Sequence, residues 1–518
     1  MRWNRMRLAA AAAAVIALAA AGCSTSSGSS ASGGSSASAG TPKKGGTLTI
    51  IYQNEVTSLD PTATTTAAGA GSLPYYAIYD ALFTLSAGTG QVTPKIGQSL
   101  TANSSQTVWT LTLRPGVKFS DGTPYDAAAV EYNWTRDKAP TSAIASAATI
   151  IKSMKVVSPT TLQVTLTAPD SSFDRTVAQQ LLFIASPAAI KKEGASFGTH
   201  PVGAGPFTLT SWVRNSQKTF AANPGYYQSG KPYLSKLVIS VIPDESQGAT
   251  ALKTGQGNYM YTQDGSVISQ LKAAGLQSTI TTTPGSPNIA FNNKKAPFDD
   301  PSIRKAVMEA INVNQMAKVN GTFVPVSQPF PSGSPYNYGL SWPAYNQANA
   351  QQLFNAYAAA HGGPVTFTIQ GFQDPVTGKN LSFIQAALGQ FKNVKVNITT
   401  VAASTAITNV FTGNYQASAW GAPWYTPADL YIYLSPGQQL NVYKYSNPAV
   451  TSALASARAT GEQSTQSADY RTVVQNMVSS VPFFNFGMNQ CAGLYPSSVH
   501  NVKLFYDGYP FMEDIWVG

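Results

Sequence analysis

Between Thr107 and Trp134 the chain spells out a strand, two turns and a helix start in quick succession, and no other stretch constrains the fold as much. Trp109, Leu111 and Leu113 alternate with Thr110 and Thr112, the period-2 pattern of a half-buried strand. Arg114-Pro115-Gly116 breaks that strand, and Ser120-Asp121-Gly122-Thr123-Pro124 makes a second turn. Asp126 is placed to cap a helix that carries Val130 and Trp134 on one face. Local physics alone predicts strand, turn, turn, helix, which many folds contain.

At 518 residues the chain is too long for one core and suggests about three domains. Its N-terminus reads as an address. Arg2, Arg5 and Arg7 precede an apolar run of 14 residues from Leu8 to Ala21, too short to span a bilayer and right for a signal peptide. The segment Leu18-Ala-Ala-Ala-Gly-Cys23 resembles a bacterial lipobox, which predicts cleavage before Cys23 and acylation of its thiol. Several acyl chains on one residue give firm membrane anchoring, where one chain binds reversibly. Ser24 to Thr41 is almost wholly Ser, Gly, Ala and Thr, a composition that builds a tether with a reach of roughly 25 Å. An anchor, a tether and a large body describe a surface receptor better than a secreted enzyme. With Cys23 lipidated, Cys491 has no partner in the chain, and its apolar neighbours predict a buried thiol.

The formal charge of +10, less the three leader arginines, leaves +7 for the mature chain. No dense Lys/Arg cluster accompanies it, so nucleic acid is not an expected partner. Signatures of catalysis and of cofactors are missing. His200, His361 and His500 lie far apart with no neighbouring ligand at metal-binding spacing, and no His-Glu-x-x-His, Cys-x-x-Cys or Gly-x-Ser-x-Gly occurs. Gly203-Ala-Gly205 runs into Pro206, which spoils a phosphate-receiving helix start. No metal, no cofactor and no catalytic group is expected, and no ATP-binding loop is present.

The words Leu113-Arg-Pro-Gly-Val-Lys-Phe-Ser-Asp-Gly-Thr-Pro124 carry far more information than their local structure. They resemble the signature of the family 5 extracellular solute-binding proteins, the peptide-binding receptors of ABC importers. The opening strand Gly45–Tyr52, the turn Ser58-Leu-Asp-Pro61, Tyr79-Asp-Ala-Leu-Phe83, Pro201–Phe207, Asn223–Tyr227 and Ala296–Ala306 resemble further family segments in the family's order. The resemblance implies an α/β, periplasmic-binding-protein-like two-lobe fold with mixed sheets, of the large type with an extra inserted domain. By analogy, residues 1–22 are the signal peptide and 23–44 the lipidated cysteine and tether. Domain I comprises 45–84, 200–289 and 485–518, domain II 85–199, and domain III 290–484. In Ala296–Ala306, Asp299 or Asp300 is expected to cap a helix and pair with Arg304.

Ligand information is expected in Ala419-Trp-Gly-Ala-Pro-Trp-Tyr-Thr-Pro-Ala-Asp-Leu-Tyr-Ile-Tyr433. Peptide-binding relatives carry a run like Trp-x-x-Asp-Tyr-x-Asp-Pro there, whose first aspartate holds the peptide's ammonium group. On this chain the tryptophan is Trp420, the first acid becomes Pro423 and the second becomes Thr426. A charge-assisted hydrogen bond is worth about 1.5–3 kcal/mol, so its loss removes the simplest way of reading a free amino terminus. Trp420, Pro423, Trp424 and Tyr425 are the expected ligand-binding residues, with Asp429 as a substitute acid from the next turn. Flat rings with polar tips suit peptide side chains and sugar rings alike. A further acidic position of the family reads Gly255-Gln-Gly-Asn258 here, again neutral.

The resulting expectation is a lipid-anchored, non-enzymatic, monomeric receptor on the outer, extracytoplasmic or periplasmic face of the cell membrane. It would pass an oligopeptide-like solute to an ABC permease with separate ATPases. An oligosaccharide or other uncharged solute in the same fold, and a cell-surface hydrolase, are the alternatives.

Overall fold

Half-buried and fully buried strands arise from two different sequence patterns in this chain. In Val108–Leu113 the side chains of Trp109, Leu111 and Leu113 are buried while their neighbours stay half-exposed, as in a sheet with one face on a core. In Thr47–Tyr52 the run Ile50-Ile51-Tyr52 is buried throughout. Leu48, Ile50 and Tyr52 enter one core with Tyr75, Phe183 and Phe220. Ile51 enters another with Ala249, Leu252 and Leu271 on the opposite face. Cover on both faces is what permits an unbroken apolar run.

The computed structural model describes residues 40–63 and 71–518. The signal peptide, Cys23 and most of the tether lie outside the described residues. Among the described residues the strands form three principal sheets. The first runs in the order Gln277–Thr283, Gly487–Tyr495, Tyr259–Thr262, Thr47–Tyr52, Lys236–Val241, Gln217–Ala222, Phe207–Val213. Thr47–Tyr52 is parallel to both neighbours and the other pairs are antiparallel. The second runs Val394–Val401, Val365–Phe372, Ala417–Trp420, Asn288–Phe291, Phe483–Asn485, and it too is mixed. The third is antiparallel: Gly97–Ala102, Val108–Leu113, Thr161–Leu166, Ile151–Ser158.

The helix after the opening motif begins where its sequence says it should. Asp126 accepts a hydrogen bond from Ala129 N (2.9 Å) and so caps Ala127–Asp137. Val130 and Trp134 are fully buried, and Trp134 Nε1 donates to Leu181 O at 3.0 Å. Truncating such an indole costs about 3–5 kcal/mol, so this motif is scaffold. Asp300 likewise caps Pro301–Glu309, accepting from Ser302 N at 2.7 Å. Arg304 departs from expectation. Instead of pairing with an aspartate it donates to the carbonyls of Phe298 (2.7 Å), Ser480 (2.7 Å) and Val481 (2.9 Å). Ser480 ends the helix Gln463–Ser480, whose orphaned carbonyls attract a cation.

Topology places the cleft. The chain leaves the first sheet after Tyr52, builds the third sheet, and returns at Phe207. It leaves again after Thr283, builds the second sheet, and returns at Gly487. The second excursion makes one lobe, and the first and third sheets make the other. Two strands of chain, Thr283–Asn288 and Asn485–Asn489, cross between them side by side. They are stitched together: Asn489 N donates to Ser286 O (2.6 Å), and Asn485 Nδ2 donates to Pro287 O (3.2 Å).

Candidate functional site

A cavity of about 180 Å³ lies against the two crossings. Gln263, Thr283, Cys491 and Asp507 line it from the first-sheet lobe, Gly421, Pro423 and Tyr425 from the other, and Ser286 and Asn489 from the crossings themselves. A larger groove of about 990 Å³, beside Lys294, Phe411 and Lys444, is built only from the second lobe. A solute in that groove would touch one lobe and could not favour closure; one in the smaller cavity touches both.

The aromatic run reaches the cavity through a sharp local path. After the strand Ala417–Trp420, Ala422 N and Trp424 N donate to Gly285 O (3.3 Å) and Pro284 O (3.2 Å), which ties the run to a crossing. Gly285, with φ +83°, leaves no room for a side chain: a Cβ there would lie 2.2 Å from Ala422 O and 2.3 Å from the Trp424 ring. Thr426 then opens a short turn, Pro427–Leu430, in which the Asp429 carboxylate accepts from Tyr425 N (2.8 Å) and Thr426 N (2.9 Å).

The five residues expected to bind ligand are dispersed by this path. Pro423 and Tyr425 line the cavity. Trp420 is half-buried between Phe372 and Phe411, with ring centroids 6.4 and 6.1 Å away, and is not part of the cavity wall. Trp424 corrects the expectation. It is fully buried in the second lobe's core, its Nε1 donating to Pro329 O (3.0 Å), because an indole in mid-lobe is worth more packed against Phe483 than exposed in a cleft. Asp429 corrects it too, since its carboxylate is already paired.

That pair joins the lobes. Arg175, from the helix Phe173–Gln179 beside the third sheet, holds Asp429 in a fork: Nη2 reaches both carboxylate oxygens at 3.0 Å and Nε reaches Oδ1 at 3.1 Å. Burial works to lower the Arg175 pKa, but the charge and hydrogen bonds of Asp429 leave it raised. A second bridge joins Arg458 to Asp170, with Ser171 N on Arg458 O (2.8 Å) and Ser171 Oγ on Ala457 O (2.9 Å). Tyr425 also crosses. Its hydroxyl donates to Tyr506 O (3.0 Å), lies 3.1 Å from Thr283 Oγ1, and its ring meets Tyr506 edge-on at 5.1 Å. The lobes are closed on one another.

The profile of the bacterial extracellular solute-binding proteins, family 5 (middle), matches residues 91–441. The chain belongs to this family. The glutathione-binding protein GsiB of Pectobacterium atrosepticum is 28% identical over 413 residues, 75% of this chain and 78% of that protein. Two solved structures share the fold. The periplasmic binding protein DppA of Helicobacter pylori, in complex with the peptide STSA, superposes with a TM-score of 0.76 at 22% identity, covering 92% of this chain and 98% of that one. NikA of Brucella suis, in complex with Fe(III)-EDTA, gives 0.79 at 20% identity, covering 91% of this chain and all of that one (100%). The mixed α/β, two-lobe periplasmic-binding-protein fold is thereby established, and the chain is a solute-binding protein rather than an enzyme. The hydrolase alternative falls with it. Among the described residues no helix is long and apolar enough to cross a membrane, and no cluster of His, Cys, Asp and Glu could hold a metal ion.

Family 5 membership leaves the ligand open, since one fold holds a peptide in one relative and a metal chelate in another. The residues that could decide it here include several that sequence reasoning missed: Gln263, Thr283, Asn489 and Asp507. They come from four separate parts of the chain, and no spacing rule connects them. Cys491 is free and buried as expected, and burial raises its pKa, so the thiol is protonated at neutral pH. The neutral Asn258 is structural. Its side chain accepts from Thr49 N (2.7 Å) and donates to Thr47 O (3.0 Å), bridging two residues of the opening strand.

Proposed function

We propose that this chain is the lipid-anchored receptor of an ABC importer and captures a peptide-like solute between its lobes. The single observation that carries the reading is the cavity at the crossings, walled by both lobes and sealed by the Arg175–Asp429 and Tyr425–Tyr506 contacts. A solute bound there favours the closed form, which is the form a permease would read. Backbone amides of an extended peptide suit the uncharged polar wall of Gln263, Thr283, Ser286 and Asn489. That GsiB is a glutathione-binding protein and DppA holds a tetrapeptide supports the peptide class.

The rest of the receptor follows on the same reading. Acylated Cys23 holds it at the outer membrane face, the tether lets it reach a permease with separate ATPases, and it works as a monomer. Domain I would be 45–84, 200–289 and 485–518, domain II 85–199 and domain III 290–484, a division that the three separate sheets support. A thermal-shift screen of glutathione and di- to hexapeptides against cello-, xylo- and malto-oligosaccharides tests the ligand class. Stabilisation by peptides is expected, and stabilisation by sugars alone would overturn it. Radiolabelled palmitate tests the anchor: the unmodified chain should take up the label, and Cys23→Ala should take up none and keep its leader.

A further inference from the structure

Acids buried by this fold are mostly paired. Lys95 lies 3.1 Å from Asp80 and also bonds Glu513; Arg136 holds Asp60, Lys218 holds Glu55, Arg458 holds Asp170 and Arg175 holds Asp429. Asp507 is not. It is 5% exposed, lines the cavity at the crossings, and makes no ion pair with any described residue. Asp137 is also buried without an ion pair, but it does not line this cavity.

Around Asp507 stand tyrosines. Tyr76 donates its hydroxyl to Oδ2 at 2.9 Å, and Tyr509 N donates to Oδ1 at 3.1 Å. The Tyr261 hydroxyl donates to the Asp507 carbonyl at 3.3 Å, and its ring lies 4.9 Å from that of Tyr509. Burial first, and the Asp507 charge after it, pushes the phenols of Tyr76 and Tyr506 up. The titratable groups that face the carboxylate are thus Tyr52, Tyr76, Tyr261, Tyr425, Tyr506, Tyr509 and Cys491, every one of them uncharged at neutral pH.

We propose that Asp507 is the anchor for a cationic group of the solute, a primary ammonium, which enters the cavity at the crossings and supplies the charge this acid lacks. This deepens, and rests on, the reading of that cavity as the solute site. A carboxylate offers about four acceptor positions, and the protein fills two. An ammonium has three N–H donors: one or two go to Asp507, and the oxygens of Gln263, Thr283 or Asn489 on the same wall can take the rest. At about 180 Å³ the cavity is smaller than the 300–1,000 Å³ that takes a whole ligand, which suits a head group.

Proton linkage has a definite sign. Burial, opposed in part by the Tyr509 N and Tyr76 hydrogen bonds, pushes the Asp507 pKa up to about 7. An ammonium binds the ionised carboxylate, so affinity weakens about tenfold for each pH unit below about 7; a peptide α-amino group, with a pKa of about 7.7–8.0, loses its own charge above that, so binding is strongest near about pH 7.5.

The test uses the mature protein and three probes: trialanine, N-acetyl-trialanine and n-butylammonium chloride, titrated calorimetrically at about pH 5.5 and about pH 7.5. Trialanine is expected to bind roughly 10- to 100-fold more tightly than its acetylated form. Asp507→Asn should abolish that preference, and acidification to pH 5.5 should erode it in the unmodified protein, which needs no variant to fold. Equal binding of both peptides at both pH values would overturn the anchor and leave the peptide reading standing. Binding of n-butylammonium through Asp507 without either peptide would support the anchor and overturn the peptide reading. If none of the three binds, both fail.

Discussion

Asp429 and Asp507 stand on opposite lobes of one cleft, both almost wholly buried, yet the fold treats them in opposite ways. Asp429 meets the Arg175 fork and two backbone N–H groups, and that commits every part of it to holding the lobes together. Asp507 meets a phenol, one N–H and an open cavity. A charge buried with its partner is a structural joint, and a charge buried without one awaits a partner. The contrast separates the device that closes the cleft from the group that reads what is inside it.

The largest effect should come from breaking the joint. Arg175→Ala leaves Asp429 buried and unpaired, which destabilises the closed form by about 3–5 kcal/mol. Small-angle scattering should show an expanded, open particle, and an unchanged radius would mean that the pair is not a joint. Asp507→Asn should act in the opposite sense on the solute-free protein. The Asp507 pKa rises on folding, so its protonated form is favoured, and wild-type stability falls as pH climbs from the ordinary carboxylate range to about 7. The variant should therefore gain up to about 4 kcal/mol at pH 8 and little at pH 4, read from urea midpoints at the two pH values. A loss at pH 8 would show that Asp507 is structural.

A smaller effect isolates closure from charge. A Cβ on Gly90 would lie 2.6 Å from the Tyr425 Cβ, whereas one on Gly88 would meet nothing, and both glycines have positive φ. Gly90→Ala should cost about 1–3 kcal/mol more than Gly88→Ala in thermal unfolding, the excess being the clash across the cleft. Tyr425→Phe is the mildest. Removing its hydroxyl from Tyr506 O and Thr283 should cost about 0.5–1.5 kcal/mol and leave the solute cavity's charge unchanged. If Tyr425→Phe instead matched Arg175→Ala in opening the particle, the joint would lie in the tyrosine and not in the ion pair.

Much of the scaffold was legible in the residues themselves. Alternation in Val108–Leu113 predicted a half-buried strand, and Asp126 and Asp300 cap the helices that their positions predicted. Turn words in order along the chain pointed to family 5. These features are short-range: a period of two, an oxygen three residues before an N–H, a proline that cannot donate. The site was legible only in part. The sequence pointed to Trp420, Pro423, Trp424, Tyr425 and Asp429, and Pro423 and Tyr425 reach the cavity, whereas Trp424 is core and Asp429 a joint.

What the sequence determined by itself was the class of fold and the family. Only the tertiary structure decided that Asp429 belongs to Arg175, some 254 residues away in the chain, and that Asp507, near the C-terminus, stands in the cavity with Tyr76 as its partner across 431 residues. The reason is physical. Local patterns are set by backbone geometry and by the alternation of apolar side chains, whereas the meaning of a buried charge depends on which distant groups the folded chain brings to within hydrogen-bonding distance of it.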